Sequence, residues 1–232
     1  MVVVAVPDHQ NPLLPATLHL EMPKHSSRAF RVGRVTAAHH SKENFMQTFY
    51  DPDPGPDAPH IVRMVVEIPK DSTNKYEYDA SLGMFRLSRA LYSPMHYAGD
   101  YGFIPGTVAE DNEPLDVLCL VTTRSFTGCL AYVRPVAVLD MLDGTEVDHK
   151  IIAVPARDPR YENVEDLAQV EPHVRREFEH FFEIYKELEG RTMQTRCWGG
   201  REEAERIVRE SRRRYLETAM PKAVSTATSK RG

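Results

Sequence analysis

Apolar and polar positions follow two regimes along the chain. Between residues 61 and 156 the apolar residues come in short runs or alternate, and many are β-branched or aromatic. IVRMVVEIP (61–69), KYEYD (75–79) and GMFRLSRAL (83–91) predict strands, with turns at KDSTN and ASLG between them. After a loop, DVLCLVT (116–122), LAYVRPVAVLDML (130–142) and DHKIIAVPA (148–156) predict three more. Beyond residue 170 the period lengthens. In EPHVRREFEHFFEIYKELEG the residues Val174, Phe178, Phe181, Phe182, Tyr185 and Leu188 make one apolar stripe. Pro172 suits the first turn of that helix and Gly190 its stop. A second helix is predicted over about 200–217, on Ala204, Ile207, Val208, Ser211 and Tyr215. Strands followed by helices predict an α+β fold, a closed or highly curved sheet in a small barrel flanked by two C-terminal helices.

The ends of the chain have a different texture. Residues 1–59 hold Pro, His and short apolar pieces without sustained period, closing on YDPDPGPDAPH, and read as an extension or arm wrapped on the surface. Residues 218–232 are small, polar and basic and read as a disordered tail. The opening MVVVAV is too short for a secretory signal and lacks its basic lead-in. Lys24, Arg28, Arg31, Arg34 and Lys42 give residues 24–43 an organelle-transit flavour, against which stand Glu21 and the early apolar start. A cytoplasmic address is the expectation, and an organellar one, mitochondrial or other, the alternative.

Composition narrows the function. The 232 residues carry a net charge of −5, but the sign is unevenly spread. From Arg191 onward there are eleven Lys or Arg against five Asp or Glu, whereas the residues before it hold eighteen against twenty-nine. An acidic body argues against nucleic acid as a partner and suits a protein that collects cations. RESRRRY lacks interleaved stacking aromatics and reads as a solvated helical face. No run approaches the roughly 18 apolar residues of a membrane span. Cys119, Cys129 and Cys197 lack metal-finger spacing, and free thiols in a reducing compartment are expected.

The candidate chemistry lies in two acidic turns. AEDNEPLDVLCLV (109–121) crowds Glu110, Asp111, Glu113 and Asp116 at the mouth of a strand. Asp111 and Glu113 project to one side of an extended chain, and Pro114 holds Glu113 in extended geometry. A calcium loop is excluded, since its sixth position would be Asp116 rather than glycine and its twelfth Thr122. In DMLDGTEVDHKIIAV, Asp143, Glu146 and Asp148 occupy a second turn, with Lys150 on the same strand face as Asp148. One such cluster alone reads as a solvated acidic turn, but two at the rim of one sheet can converge on a site whose oxygen ligands favour magnesium-type ions over zinc. Lone cations nearby, Lys75, Arg89 and Lys150, fit an anion that the metal also touches, and phosphate is the obvious one.

EDNEPLDVLCL resembles the Asp-x-Asp-Pro-apolar-Asp motif of the family I soluble inorganic pyrophosphatases. VVEIP with KYEYD, RALYSPMHYAGDYGFIP, RPVAVLDMLDGTEVDHKIIAVP and HFFEIYKELEG resemble further blocks of that family, in its order, from about Pro59 to Tyr215. The resemblance implies an OB-like barrel as a catalytic domain over 60–217, hydrolysing pyrophosphate to two phosphates with Mg2+, several ions per site. It implies metal-holding Asp111, Asp116, Asp143 and Asp148. Lys75, Arg89, Tyr97, Lys150, Tyr185 and Lys186 would grip phosphoryl oxygens, with Tyr97 counted among the catalytic groups beside Asp111 and Glu113. Glu67 and Glu77 would act from behind the ligands. Packing offers a competing explanation for Tyr97 and Tyr185, and solvent exposure for Glu67.

The sequence also departs from the family pattern. Glu113 replaces the aspartate proposed as the water's proton acceptor, and its extra methylene shifts the carboxylate by on the order of 1 Å, enough to cost roughly 100-fold in rate unless the backbone compensates. Thr145, Ala98 and Asp100 stand where glycine, proline and asparagine are common. A catalytically weak or inactive relative, acting as a structural subunit, is the alternative function. Homo-oligomers or a larger assembly could then form through the terminal extensions. Against it stands the mutual repulsion of four convergent aspartates without metal. For the same reason, neutralising Asp116 is expected to leave the fold intact or firmer.

Overall fold

The computed structural model describes residues 48–219. The arm before residue 48, the organellar address and the tail beyond 219 lie outside the described residues.

Among the described residues, eight strands and two α-helices follow in the order β1 (Val62–Ile68), β2 (Asn74–Asp79), β3 (Met84–Ala90), β4 (Asp100–Ile104), β5 (Leu115–Cys119), β6 (Leu130–Asp143), β7 (Glu146–Pro155), α1 (Pro172–Ile184), β8 (Met193–Gly200) and α2 (Arg201–Ala219). The main sheet runs β1-β4-β5-β7-β6-β8, and β1 also pairs with β6. That extra pairing closes five strands into a ring, with β8 added outside on β6. Among these strands only β5 and β7 run parallel; β2 and β3 form a separate hairpin. The small barrel with two late helices is the architecture expected from the sequence.

Alternation explains the two larger of the three buried clusters. Val62, Met64 and Val66 of β1 meet Ile104, Val117, Val133 and Ile151 inside the ring, where Ala204, Ile207 and Val208 of α2 join them. The opposite faces of β4 to β7 carry Tyr101, Leu118, Leu139, Met141 and Ile152, covered by Phe178, Phe181 and Phe182 of α1. Each of these buried phenylalanines contributes about 1.5–3 kcal/mol. β6 is long enough to serve both β1 and β7 because a register shift between Pro135 and Ala137 absorbs the proline.

Two strands escape the sequence pattern. β4, DYGFI, is buried on both faces and so does not alternate, and Gly102 interrupts it. That glycine is required, since a Cβ there would lie 1.9 Å from the Val65 carbonyl oxygen. β8, MQTRCWGG, is largely polar and sits at the sheet edge. The first helix is also shorter than its stripe. It begins as expected, with Pro172 in the first turn and Glu171 accepting from the amides of His173 (2.6 Å) and Val174 (3.1 Å). It stops at Ile184, a 3-10 turn over Glu187–Glu189 follows, and Gly190 ends that turn at φ +74°. Leu188, expected on the apolar stripe, is therefore 64% exposed.

Residues 48–59 lie against the sheet. Tyr50 stacks edge-on against Tyr78 and Phe103, its carbonyl accepts from Gly106 N (2.8 Å), and Pro54 O accepts from Arg63 N (2.7 Å). No helix among the described residues is long and apolar enough to cross a membrane. Cys119, Cys129 and Cys197 are all free.

Candidate active site

A cavity of about 560 Å³ opens at one rim of the barrel. β1 supplies Glu67, and the β2–β3 hairpin supplies Lys75, Glu77, Asp79 and Arg86. The turn before β5 supplies Asp111 and Glu113, and β5 itself Asp116. Asp143 and Asp148 come from the β6–β7 hairpin, Lys150 from β7, and Tyr185 and Lys186 from the end of α1. The two acidic turns thus converge as their spacing implies. β5 and β7 pair in parallel, so Asp116 and Asp148 both enter from the start of adjacent strands.

Cations hold one wall of this cavity together. Lys150 Nζ, with only 3% of the residue exposed, contacts Asp116, lies 2.7 Å from Asp148 Oδ1 and donates to Tyr101 Oη at 3.1 Å. Burial pulls the Lys150 pKa down, but Asp116 and Asp148 outweigh it and keep the ammonium well above its ordinary value. Asp143 accepts from Lys186 (2.8 Å) and Arg191 (2.6 Å). Its burial raises the carboxyl pKa, and the hydrogen bond and charge of Lys186, helped by Arg191, reverse that into a net lowering.

The other wall is uncompensated. Glu67 accepts from Tyr78 N at 2.8 Å, yet burial pushes its pKa up to about 8, with Asp116 and Glu77 adding to the effect. Glu113 is raised by burial and by the neighbouring charges of Asp111 and Asp116. Its turn is tight: Glu113 N donates to Asp111 Oδ1 (2.9 Å), Ala109 N to Glu113 O (2.8 Å), and Asn112 sits at φ +68°. Among the described residues, neither Glu67, Asp111 nor Glu113 forms a salt bridge. Beside them Glu77 is held by Lys75 (3.0 Å) and Arg86 (2.9 Å).

Among the described residues no three His, Cys, Asp or Glu side chains form a ready ligand set. The all-oxygen character of the acidic wall, and the raised carboxyls that a cation would relieve, nonetheless fit a hard divalent ion. Asp111, Asp116, Asp143 and Asp148 line this cavity and would be the residues to hold such an ion, with Lys150 on Asp116 and Lys186 on Asp143 in its absence.

Two expected residues do not line the cavity. Arg89 is drawn aside by Glu189 of the 3-10 turn, 2.7 Å away, although it pairs across the hairpin with Lys75. Tyr97 is 1% exposed and packs between Tyr101 and Phe181, at ring separations of 5.4 and 4.9 Å, so packing accounts for it as built. Glu110 also leaves the acidic cluster, pairing with His149 (3.3 Å) and Arg214 (3.1 Å). Tyr101, Arg86 and Arg191 were not foreseen. Tyr101 lies on the unrecognised β4. Arg86 sits on the largely exposed strand β3, where nothing in the sequence pattern distinguishes it, and Arg191 follows Gly190 with no periodic signal. Asp100, one of the departures, is a structural staple that accepts from Lys70 N (2.8 Å) and from Ser125 N and Oγ (3.1 and 2.7 Å).

A family model described as inorganic pyrophosphatase matches residues 64–216. An inorganic pyrophosphatase of Methanosarcina acetivorans is 47% identical over 157 residues, 68% of this chain and 94% of that protein. One from Geobacillus stearothermophilus is 42% identical over the same length, 68% of this chain and 95% of its own. The crystal structure of inorganic pyrophosphatase from Thermus thermophilus superposes with a TM-score of 0.72 at 41% identity, covering 73% of this chain and 99% of that one. The chain belongs to the inorganic pyrophosphatase family.

Proposed function

We propose that this protein hydrolyses inorganic pyrophosphate to two orthophosphates in a Mg2+-dependent reaction. The observation that carries the reading is a cavity in which four aspartates, from the turn before β5, β5 itself and the β6–β7 hairpin, face Lys75, Lys150, Lys186 and Tyr185. Bound among those aspartates, several Mg2+ ions would neutralise the polyanion and lower the pKa of the attacking water. Glu113 is the group suited to take that water's proton, because burial and neighbouring acids already raise its pKa. Glu67 and Glu77 stand behind, Glu77 fixing Lys75 and Arg86. Lys75, Lys186 and Tyr185 are placed to hold phosphoryl oxygens as charge develops on the leaving phosphate. Arg89 joins them only after leaving Glu189, and Tyr97 supports the site from the core.

The structural-subunit alternative has no observation in its favour, and it leaves the uncompensated acids without a purpose. The free thiols suit a cytoplasmic setting. Phosphate release from pyrophosphate by the full-length protein, with Mg2+, without it, and with Ca2+ added, tests the reading. Fast Mg2+-dependent release blocked by Ca2+ is expected. A folded protein that binds Mg2+ and releases nothing would return the subunit reading.

A further inference from the structure

The arginine-rich stretch RESRRRY of α2, a plain solvated face by its sequence, is engaged in the structure. Arg214 Nε donates to the Val108 carbonyl at 2.9 Å, one Arg214 Nη lies 3.1 Å from Glu110 Oε1, and the other donates to Ser211 Oγ at 3.0 Å. Ser211 is fully buried, and its carbonyl accepts from Val108 N at 3.0 Å. Two residues before Arg214, Arg212 donates to Gly106 O at 3.0 Å. His149 takes the other oxygen of Glu110 at 3.3 Å. Apart from the bond within the helix, each of these contacts falls on residues 106–110, the base of the turn that carries Asp111 and Glu113 at its tip.

We propose that Arg214 is a positioning residue for this turn, fixing its base so that Asp111 and Glu113 face the cavity before any cation arrives. The proposal rests on the reading of those carboxylates as metal-side groups. Its physical content is preorganisation. Two carboxylates beside Asp116 repel one another, and a turn free at its base would swing them apart toward solvent. A guanidinium that grips a carbonyl and a carboxylate at once from a rigid, planar spread of donors holds the base against that repulsion, a span that a lysine's compact ammonium does not match. Groups that orient metal ligands typically carry a 10–100-fold share of metal affinity.

The test compares Arg214→Ala with Arg213→Ala in the full-length protein. Arg213 lies on the same helix but, among the described residues, pairs with Glu217 at 3.7 Å and not with the turn, so it controls for helix effects. Two readouts are taken, amide hydrogen exchange of residues 108–113 in the metal-free protein and Mn2+ binding by calorimetry. The expected result is faster exchange in that segment and about tenfold weaker Mn2+ binding for Arg214→Ala alone, with Arg214→Lys between. Glu110→Ala, which removes the same contact from the loop side, should weaken Mn2+ binding too and serves if Arg214→Ala does not fold. Equal Mn2+ affinity in the variants and Arg213→Ala overturns the proposal, even if exchange accelerates. Wild-type protein inert toward pyrophosphate, yet showing the Arg214 effect on both readouts, would sink the functional reading and leave the clamp standing.

Discussion

The two walls of the cavity hold similar numbers of acids in opposite electrostatic states. On the β6–β7 side, Asp143 and Asp148 touch Lys186, Arg191 or Lys150, and Asp143 is held ionised. On the side of β1 and the 109–113 turn, Glu67 and Glu113 have no cation in contact and are pushed toward protonation. Asp116 stands between, sharing Lys150 with Asp148. The difference teaches where a cation gains most. On the proposed reading, the uncompensated wall would supply the attraction, and the compensated wall already has its charge balanced by Lys150, Lys186 and Arg191.

Removing the shared cation should break the comparison most severely. Lys150→Met leaves Asp116 and Asp148 half-buried without their ammonium and should cost about 3–5 kcal/mol of stability, read by urea unfolding with a chelator present. Wild-type stability in that variant would mean that the compensated wall does not need its cation. Asp116→Asn should lower Mg2+-dependent phosphate release by roughly 1,000-fold, comparable with losing a strong transition-state contact. The sequence alone favours an equal or firmer fold for this variant. Because Asp116 touches Lys150, the structure instead predicts a slightly lower melting temperature. Near-wild-type turnover would remove Asp116 from the site.

Glu113→Asp shortens the proposed proton acceptor on the uncompensated wall. The turnover number should change by about 10- to 100-fold in either direction while KM moves little. A turnover equal to wild type places Glu113 outside the proton path. The smallest effect is a pH slope. Glu67 has its pKa raised from 4.5 to about 8 in the fold, so the stability it permits is complete below about pH 4.5 and is lost as pH rises through about 8. In metal-free protein Glu67→Gln should flatten the fall in melting temperature between about pH 4.5 and 8. Parallel profiles for the two proteins would show that the carboxyl is not desolvated as described.

Much of this was readable beforehand because it is periodic. Six strands and both helices follow from alternation or a 3.6-residue stripe, and the acidic turns converge because each opens a strand of one sheet. What escaped was set by contacts distant in sequence. β4 is buried on both faces and held close to β1 through Gly102, so no alternation marks it, and Tyr101 was lost with it. Arg89 was placed by chemistry and displaced by Glu189, a hundred residues away, on a turn whose existence depends on where α1 stops. The reach of Arg214 to Val108 has the same character, since nothing in RESRRRY says which carbonyl it meets.

The closing pair of the ring has a consequence for how the protein is made. Val62 to Val65 at the front of the domain pair with Leu130 to Val133, so the first strand stays without one of its partners until β6 has been synthesised. At about 5–20 residues per second, a nascent chain spends several seconds with that apolar edge open. Edges of this kind recruit other chains, and closure requires joining segments far apart in sequence, which is slow. The barrel's most vulnerable moment therefore comes on the ribosome, before the second acidic turn has been made.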